Sequence, residues 1–259
     1  MAETDHSWSN RRIVPATWGW TGSFEAIYLK ASMSEDVSPA PESPPSSTLE
    51  EALQKYGAPM PEEVREQIQR YVDVLWEINQ SLNLTRHTDY DKFVSRDVID
   101  SMALAGQLKP NEEILDMGSG GGVPGILIAI IRPDVRVSLC DSVGKKAKAT
   151  QEIVERLGLE IPVYHNRAED VLEDLSFDAV VCRAVAPLRK LLLWLEKHWL
   201  SAGRLLAVKG GRWVEEVKEA RHHGVTKSVE IRNSYEYETP GNDHPSVIVK
   251  VWAKGRKEP

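Results

Sequence analysis

The residues of this sequence best suited to ligand chemistry are a run of glycines that follows an acidic residue. Five of the eight residues from Gly118 to Gly125 are glycines, and Asp116 precedes them at the end of a predicted strand. Glycines at positions 118, 120 and 122 let the backbone turn tightly and approach a bound molecule closely. A predicted helix begins next, and its free N–H groups attract an anionic or polar ligand group. The pattern predicts a cofactor site that contains Asp116, Gly118, Gly120 and Gly122.

A second acidic residue, Asp141, ends the second predicted strand and is suited to hold a ribose. The spacing Gly120-x-Gly122-x-x-Gly125 matches the dinucleotide fingerprint, in which an acid about 20 residues further on binds the ribose hydroxyls. The adenosines of NAD and of S-adenosylmethionine both present two hydroxyls to such a carboxylate. An acidic residue directly before G-x-G-x-G, as Asp116 is, resembles the first motif of class I S-adenosylmethionine-dependent methyltransferases. The resemblance favours S-adenosylmethionine over NAD.

The elements that position these residues follow from hydrophobic patterning. A capping box at 48–51 and a helical apolar pattern over 61–80 predict a helical segment over residues 48–110. From residue 111, helical patterns near 124–131, 144–157, after Ala168 and at 187–199 alternate with short apolar segments. Strands are predicted near 112–116, 135–140, 161–164, 178–182, 204–208, 228–237 and 246–253. The predicted fold class is α/β: a Rossmann-like, mostly parallel sheet of seven strands, with helices on both faces and an N-terminal helical extension.

The first residues of the chain differ from the rest in composition. The Ser/Pro-rich stretch 38–48 cannot bury a core, and residues 1–47 are predicted to be a disordered, low-complexity extension. One hypothesis is that translation begins at Met33. The methyltransferase domain is predicted to span residues 111–259.

Composition excludes several classes of protein. The chain has 259 residues, 41% of them hydrophobic, and a net charge of −7. Its longest apolar run, Ile126–Ile131, is far shorter than the roughly 20 residues that span a bilayer. No secretory signal pattern precedes residue 30, so we expect a cytoplasmic protein without membrane contact. The two cysteines, Cys140 and Cys182, are too few for a four-ligand zinc site, and we expect buried free thiols and no metal. We also expect a monomer.

Further segments sharpen the resemblance. They are Asn83-Leu84-Thr85, Arg96-Asp-Val-Ile-Asp100-Ser101, Leu139-Cys-Asp141-Ser142-x-Gly144-Lys145-Lys146, Arg167-Ala168-Glu169, Phe177-Asp178-x-Val-Val-x-Arg183-Ala184-x-Ala186 and Lys209-Gly210. In this order they resemble the RsmG (GidB) family, bacterial enzymes that methylate guanine N7 in small-subunit (16S) ribosomal RNA. The resemblance covers about residues 48–255. It implies S-adenosylmethionine as cofactor and small-subunit ribosomal RNA, or the 30S subunit, as partner.

The same resemblance implies roles for individual residues. Gly118 and Val123 match contacts of the family's glycine loop, and Ala168 and Glu169 match a pair beside the adenine. Arg183 matches an arginine after the fourth strand that lines the active site. Asp97 departs from the family, which usually has histidine after the arginine at this point. The departure places a negative charge near the expected RNA surface.

The residues after the fourth predicted strand bear on the reaction. Enzymes that methylate exocyclic amines usually carry Asn/Asp-Pro-Pro-aromatic there, whereas this chain reads Cys182-Arg183-Ala184-Val185. Guanine N7 already has an in-plane lone pair, so orientation for direct in-line displacement suffices, without a general base. Arg183 is the predicted catalytic residue and is also expected to contact guanine or the cofactor's carboxylate. Cys182 is interpreted as a buried thiol rather than as a covalent nucleophile.

Basic residues near the expected site are candidates for RNA contacts. The main candidates are Arg96, Lys209 and Arg212, and the others are Arg86, His87, Lys92, Lys254, Arg256 and Lys257. Phosphate contacts of this kind make affinity dependent on salt. Three alternatives stay open: a methyltransferase of the same fold for another RNA base or a small molecule, a non-catalytic RNA-binding assembly factor, and an NAD-dependent oxidoreductase. No Tyr-x-x-x-Lys motif supports the last of these.

Overall fold

The computed structural model describes residues 44–259, so Met33 and most of the predicted extension over 1–47 lie outside the described residues. Helices come first in the described part of the chain. They are α1 (Leu49–Lys55), α2 (Glu62–Asn79), α3 (Tyr90–Lys92), a π-helical turn (Phe93–Val98) and α4 (Ile99–Ala105). The last three follow one another without a break.

The helices over residues 49–105, here called the helical prelude, form for reasons that are visible in the sequence. The Thr48 hydroxyl accepts a hydrogen bond from the N–H of Glu51 (3.2 Å) at the start of α1, as the capping box predicts. The Glu51 carboxylate accepts a hydrogen bond from the N–H of Ser47 (2.8 Å). Helix α2 buries one face, formed by Ile68, Tyr71, Val72, Leu75 and Ile78.

Residues 113–253 form a sheet of seven strands with intervening helices. The strands are β1 (Glu113–Met117), β2 (Arg136–Cys140), β3 (Val163–Tyr164), β4 (Ala179–Arg183), β5 (Arg204–Lys209), β6 (Val229–Tyr237) and β7 (Ser246–Ala253). The helices are α5 (Gly125–Ile131), α6 (Gly144–Leu157), α7 (Ala168–Asp174), α8 (Leu188–Leu195) and α9 (Trp213–His222). The strand order is β3-β2-β1-β4-β5-β7-β6, parallel except that β7 is antiparallel to β5 and to β6. The predicted fold class is confirmed.

Successive side chains of a strand point to opposite faces of the sheet, and in these strands both sets are largely apolar. Helices therefore cover both faces of the sheet. Leu115 and Met117 of β1 belong to a buried cluster with residues of α7, α8 and α9. Ile114 and Asp116 point to the other face, where Gly125 at the start of α5 packs against Leu139 and Asp116.

The order of the strands creates a crevice. From β1 the chain winds outward through β2 to β3, and it then returns to β4, which pairs with the other side of β1. In open α/β sheets, ligands bind outside the carboxyl ends of the strands at such a reversal. The glycine loop follows β1 and Arg183 ends β4, so the fold places both at this point.

A buried ion pair lies at the amino ends of the parallel strands, opposite the glycine loop. The Arg204 guanidinium donates to both carboxylate oxygens of Glu112 (2.9 and 2.7 Å), and both side chains are almost fully buried. The same guanidinium donates to the carbonyls of Asp178 and Gln107 (3.2 Å each). These bonds join the start of β5 to the segments that precede β1 and β4.

Candidate active site

The glycine loop after β1 is held by backbone hydrogen bonds from the neighbouring strand. The N–H groups of Gly118 and Ser119 donate to the carbonyl of Cys140 at the end of β2 (2.9 and 3.0 Å). Gly118, Gly120 and Gly122 all have positive φ, at 73°, 57° and 96°. This conformation costs roughly 1–2 kcal/mol for a residue with a Cβ, which explains why glycines are needed here.

Asp116 lies beneath the loop and is fully buried. Its Oδ2 accepts a hydrogen bond from the N–H of Gly125 (2.9 Å). Among the described residues, its Oδ1 and the hydroxyl of Ser119 have no hydrogen-bond partner. Burial raises the pKa of Asp116 to about 7, although the bond from Gly125 and the charge of Arg183 act to lower it. Buried polar atoms without partners are rare, and these two fit a polar ligand group in the loop.

Asp141 braces the same loop from the end of β2. Its two carboxylate oxygens accept from the N–H of Val143 (2.8 Å) and of Gly120 (3.0 Å). The Thr150 hydroxyl donates to the carbonyl of Gly120 (2.6 Å). A carboxylate has about four acceptor positions, so Asp141 retains capacity for hydroxyl donors such as those of a ribose.

The remaining predicted cofactor residues lie around these loops. Val123 is half-buried between the glycine loop and α5. Ala168 is buried and Glu169 half-buried at the start of α7, and Glu169 pairs with Arg167 (3.3 Å). Since α7 follows β3, the neighbour of β2, both residues lie near the carboxyl end of that strand pair.

Arg183 ends β4 and is bound by two carboxylates of the helical prelude. Its guanidinium donates to Oδ1 of Asp97 (2.5 Å) and to Oδ2 of Asp100 (3.2 Å). Asp97 is fully buried, and its Oδ1 also lies 2.8 Å from Nδ1 of His87. The Tyr237 hydroxyl donates to Oδ1 of Asp100 (2.6 Å). Burial raises the pKa of Asp100, opposed by the charge of Arg183.

The residues after Arg183 bring this cluster to the glycine loop. Ala184 has a positive φ of 54°, which turns the chain sharply at the end of β4. Val185 then lies so close to Gly118 that a Cβ on that glycine would be 2.9 Å from Val185 Cγ2. The structure therefore brings Asp116, Gly118 and Arg183 together, as the sequence predicts.

The two cysteines are free and buried, as predicted. Burial raises the pKa of both thiols to about 12. Nucleophilic attack requires the thiolate, which such a pKa makes very scarce at neutral pH. The geometry thus supports the interpretation of Cys182 as a structural thiol.

The three main RNA candidates differ in their surroundings. Arg212 is exposed and Arg96 is half-buried. Both lie near the connection between β6 and β7, because an added Cβ at Gly241 would be 3.9 Å from Arg96 and Gly211 packs on His244. Lys209 is buried, and its ammonium donates to Glu216 (2.8 Å) and to the carbonyl of Ala186 (2.7 Å).

The secondary RNA candidates are scattered. Arg86 is exposed, and Lys92 pairs with Asp89 (3.1 Å) near the helical prelude. Arg256 and Lys257 line a cavity of about 450 Å³ together with Glu113 and Asp178, which lie at the amino ends of β1 and β4. Arg256 and Lys257 therefore lie at the amino ends of the strands, away from the glycine loop.

The sequence does not reveal the cluster around Arg183. It indicates His87 only as a candidate RNA contact and Asp97 only as a departure from the family, and it gives no role to Tyr237. The three-residue spacing of Asp97 and Asp100 on one helical face was the available signal. Nothing local in the sequence connects that face to Arg183, more than 80 residues later.

Two further kinds of site are absent from residues 44–259. None of the His, Cys, Asp and Glu residues there form a group of three that could hold a metal ion. No helix in this part of the chain is long and apolar enough to cross a membrane.

The strand order, the antiparallel last strand and the glycine loop together define the fold of class I S-adenosylmethionine-dependent methyltransferases. Comparison with known proteins then gives the family. The model of the family GidB, described as rRNA small subunit methyltransferase G, matches residues 64–242. This chain belongs to that family.

Individual relatives agree with this assignment. A protein of Rhodopirellula baltica named ribosomal RNA small subunit methyltransferase G is 50% identical over 181 residues, which are 70% of this chain and 78% of that protein. A protein of the same name from Thermoanaerobacter sp. is 34% identical over 194 residues, 71% of this chain and 81% of that protein. Among solved structures, MtNAS in complex with MTA and tNA shares the fold, with a TM-score of 0.50 and 16% identity over 72% of this chain and 69% of that chain.

Proposed function

We propose that this protein transfers a methyl group from S-adenosylmethionine to N7 of a guanine in small-subunit (16S) ribosomal RNA. The observation that carries the proposal is the glycine loop at the reversal of strand order, in a chain of the GidB family, with Val185, two residues after Arg183, packed against it. Bound S-adenosylmethionine supplies an electrophilic methyl group on a sulfonium centre.

The cofactor site comprises residues at or after the carboxyl ends of the first four strands. Asp116 and Ser119 offer the buried polar atoms without partners, and Asp141 offers acceptor positions for ribose hydroxyls. The whole proposed set is Asp116, Gly118, Gly120, Gly122, Val123, Asp141, Ala168, Glu169 and Arg183. Its fit to the cofactor rests on the unpartnered polar atoms and on the acceptor positions that Asp141 retains.

The protein's part in the reaction is orientation. Guanine N7 carries an in-plane lone pair and needs no deprotonation, so Arg183 acts by holding the base or the cofactor in line for direct displacement. A guanidinium suits this task, because its planar N–H groups recognise guanine O6 and carboxylates alike. Cys182 takes no part, since burial keeps its thiol protonated.

The RNA surface lies beside this crevice. Arg96 and Arg212 flank the connection between β6 and β7, at the edge where the parallel strands end. Lys209 is left out of the proposed surface, because an RNA contact requires breaking its buried pair with Glu216.

Methyl transfer to purified RNA tests the proposal. The protein is incubated with labelled S-adenosylmethionine and either free 16S ribosomal RNA or 30S subunits, and the RNA is digested to nucleosides. We expect the label in 7-methylguanosine. Label in another nucleoside indicates a methyltransferase for a different base. Tight RNA binding without transfer, under either condition, indicates an assembly factor.

A further inference from the structure

The carboxylate of Asp97 has an unusual set of neighbours. It is fully buried, and its Oδ1 lies 2.5 Å from the Arg183 guanidinium and 2.8 Å from Nδ1 of His87. Its Oδ2 is buried without a hydrogen-bond partner among the described residues. Burying a carboxylate in this way is costly unless a cation compensates it, so Asp97 and Arg183 depend on each other.

His87 is itself fixed, which holds Asp97 in place. The backbone N–H of His87 donates to the Thr85 hydroxyl (3.0 Å), and the backbone carbonyl of His87 accepts from the Trp76 indole N–H (2.8 Å). The π-helical turn that contains Asp97 runs directly into α4, which contains Asp100. Turns of this type are frequent at functional sites, where they re-aim side chains.

Asp97 and Asp100 together hold the guanidinium of Arg183 at two of its nitrogens. A guanidinium has five N–H groups, and these two contacts are the hydrogen bonds it makes to residues 44–259. The side chain is only 17% exposed, so the remaining N–H groups have a fixed direction. Val185, two residues after Arg183, packs on Gly118, which places the end of β4 beside the glycine loop.

We propose that Asp97 is a positioning residue, which holds the Arg183 guanidinium so that its free N–H groups face the cofactor and the guanine. The proposal rests on the function proposed above. Pairing with Asp97 also offsets the positive charge of Arg183, which would otherwise oppose the charge that arrives on the base as N7 is methylated.

A double-mutant cycle tests whether Asp97 acts through Arg183. The proteins are wild type, Asp97→Asn, Arg183→Lys and the double variant, each measured for kcat, for KM of the RNA and for the dissociation constant of S-adenosylmethionine. Misplacement of a reacting or orienting group by about 1 Å costs up to about 100-fold in rate, so Asp97→Asn is expected to lower kcat by about 10- to 100-fold. The double variant is expected to match Arg183→Lys within about twofold, because coupled residues are not additive.

A matched control separates positioning from simple stabilisation. Asp91 lies on the same helical run and binds Ser46 (2.7 Å) and Lys55 (3.2 Å), away from Arg183. Asp91→Asn is expected to lower the melting temperature but to leave kcat and cofactor affinity unchanged. Melting curves of all variants show which of them fold, and Asp97→Ser is the substitute if Asp97→Asn does not.

The outcomes distinguish this proposal from the proposed function. If wild type transfers no methyl group to RNA, the proposed function fails, and the cycle is scored on cofactor affinity alone. Losses from Asp97→Asn and Arg183→Lys that multiply in the double variant overturn the positioning role. So does an Asp97→Asn protein with the kcat and cofactor affinity of wild type, or an Arg183→Lys protein that changes neither quantity.

Discussion

Substituting alanine at Gly118 probes the contact between the glycine loop and the end of β4. Gly118 has a φ of 73°, and a Cβ there would lie 2.9 Å from Val185 Cγ2. Gly158, at the end of α6, has a similar φ of 66° but no atom within 4 Å of such a Cβ. The two substitutions therefore share the backbone strain and differ in the clash.

The magnitudes follow from these two contributions. Left-handed backbone costs roughly 1–2 kcal/mol for alanine, and the stiffer unfolded chain offsets about 0.4–1 kcal/mol of it. Gly158→Ala should thus lower the free energy of unfolding by about 0–1.6 kcal/mol. Overpacking against the branched, stiff side chain of Val185 adds roughly 1–3 kcal/mol for Gly118→Ala.

Urea unfolding and calorimetric titration with S-adenosylmethionine measure both effects. We expect Gly118→Ala to be the less stable variant and to bind the cofactor at least about tenfold more weakly, a loss of about 1.4 kcal/mol. Gly158→Ala should bind like wild type. Equal losses of stability, or wild-type affinity in a folded Gly118→Ala protein, would refute the account of this loop.

Three further predictions concern charges. Removing one partner of a buried ion pair costs about 3–5 kcal/mol, so Glu112→Ala should lower the free energy of unfolding by about that much. Glu113 belongs to an exposed ion pair, so Glu113→Ala should cost less than about 1 kcal/mol. Equal urea midpoints for the two variants contradict this prediction. Because burial raises the pKa of Asp116 to about 7 from 3.8, its contribution to stability is lost as pH rises between those values. Asp116→Asn should remove that loss in urea unfolding at several pH values, and parallel wild-type and variant profiles contradict it. Arg212→Gln should reduce the salt slope of RNA affinity by about one, and Arg136→Gln, at the amino end of β2, should leave it unchanged.

Much of the fold was predictable because its signals are local. Strand and helix periods, the acid before the glycines and the glycines themselves each occupy a short stretch of sequence. The order of the strands is seen only in the structure, where it places Asp116 and Arg183 at one crevice. Boundaries were less predictable: α8 ends at Leu195 rather than near 199, since the last residues of the pattern form turns.

What was not predictable depends on contacts distant in sequence. The bonds from Arg183 to Asp97 and Asp100 join residues 86 and 83 positions apart, and charged side chains leave no periodic pattern when they pair. Lys209 is a second example. Its position beside glycines in the sequence suggests a free cation, but in the structure it pairs with Glu216. Burial, which decides whether a charge is available to a ligand, emerges only from the packed structure.

The most direct test of the central claim is methyl transfer to RNA whose guanines lack N7. 16S ribosomal RNA transcribed with 7-deazaguanosine keeps its base-pairing edges but has a C–H group at the position of the lone pair. We predict transfer to unmodified RNA, recovered as 7-methylguanosine, and none to the deaza RNA. Equal transfer to both RNAs would place the methyl group on another atom and contradict the account.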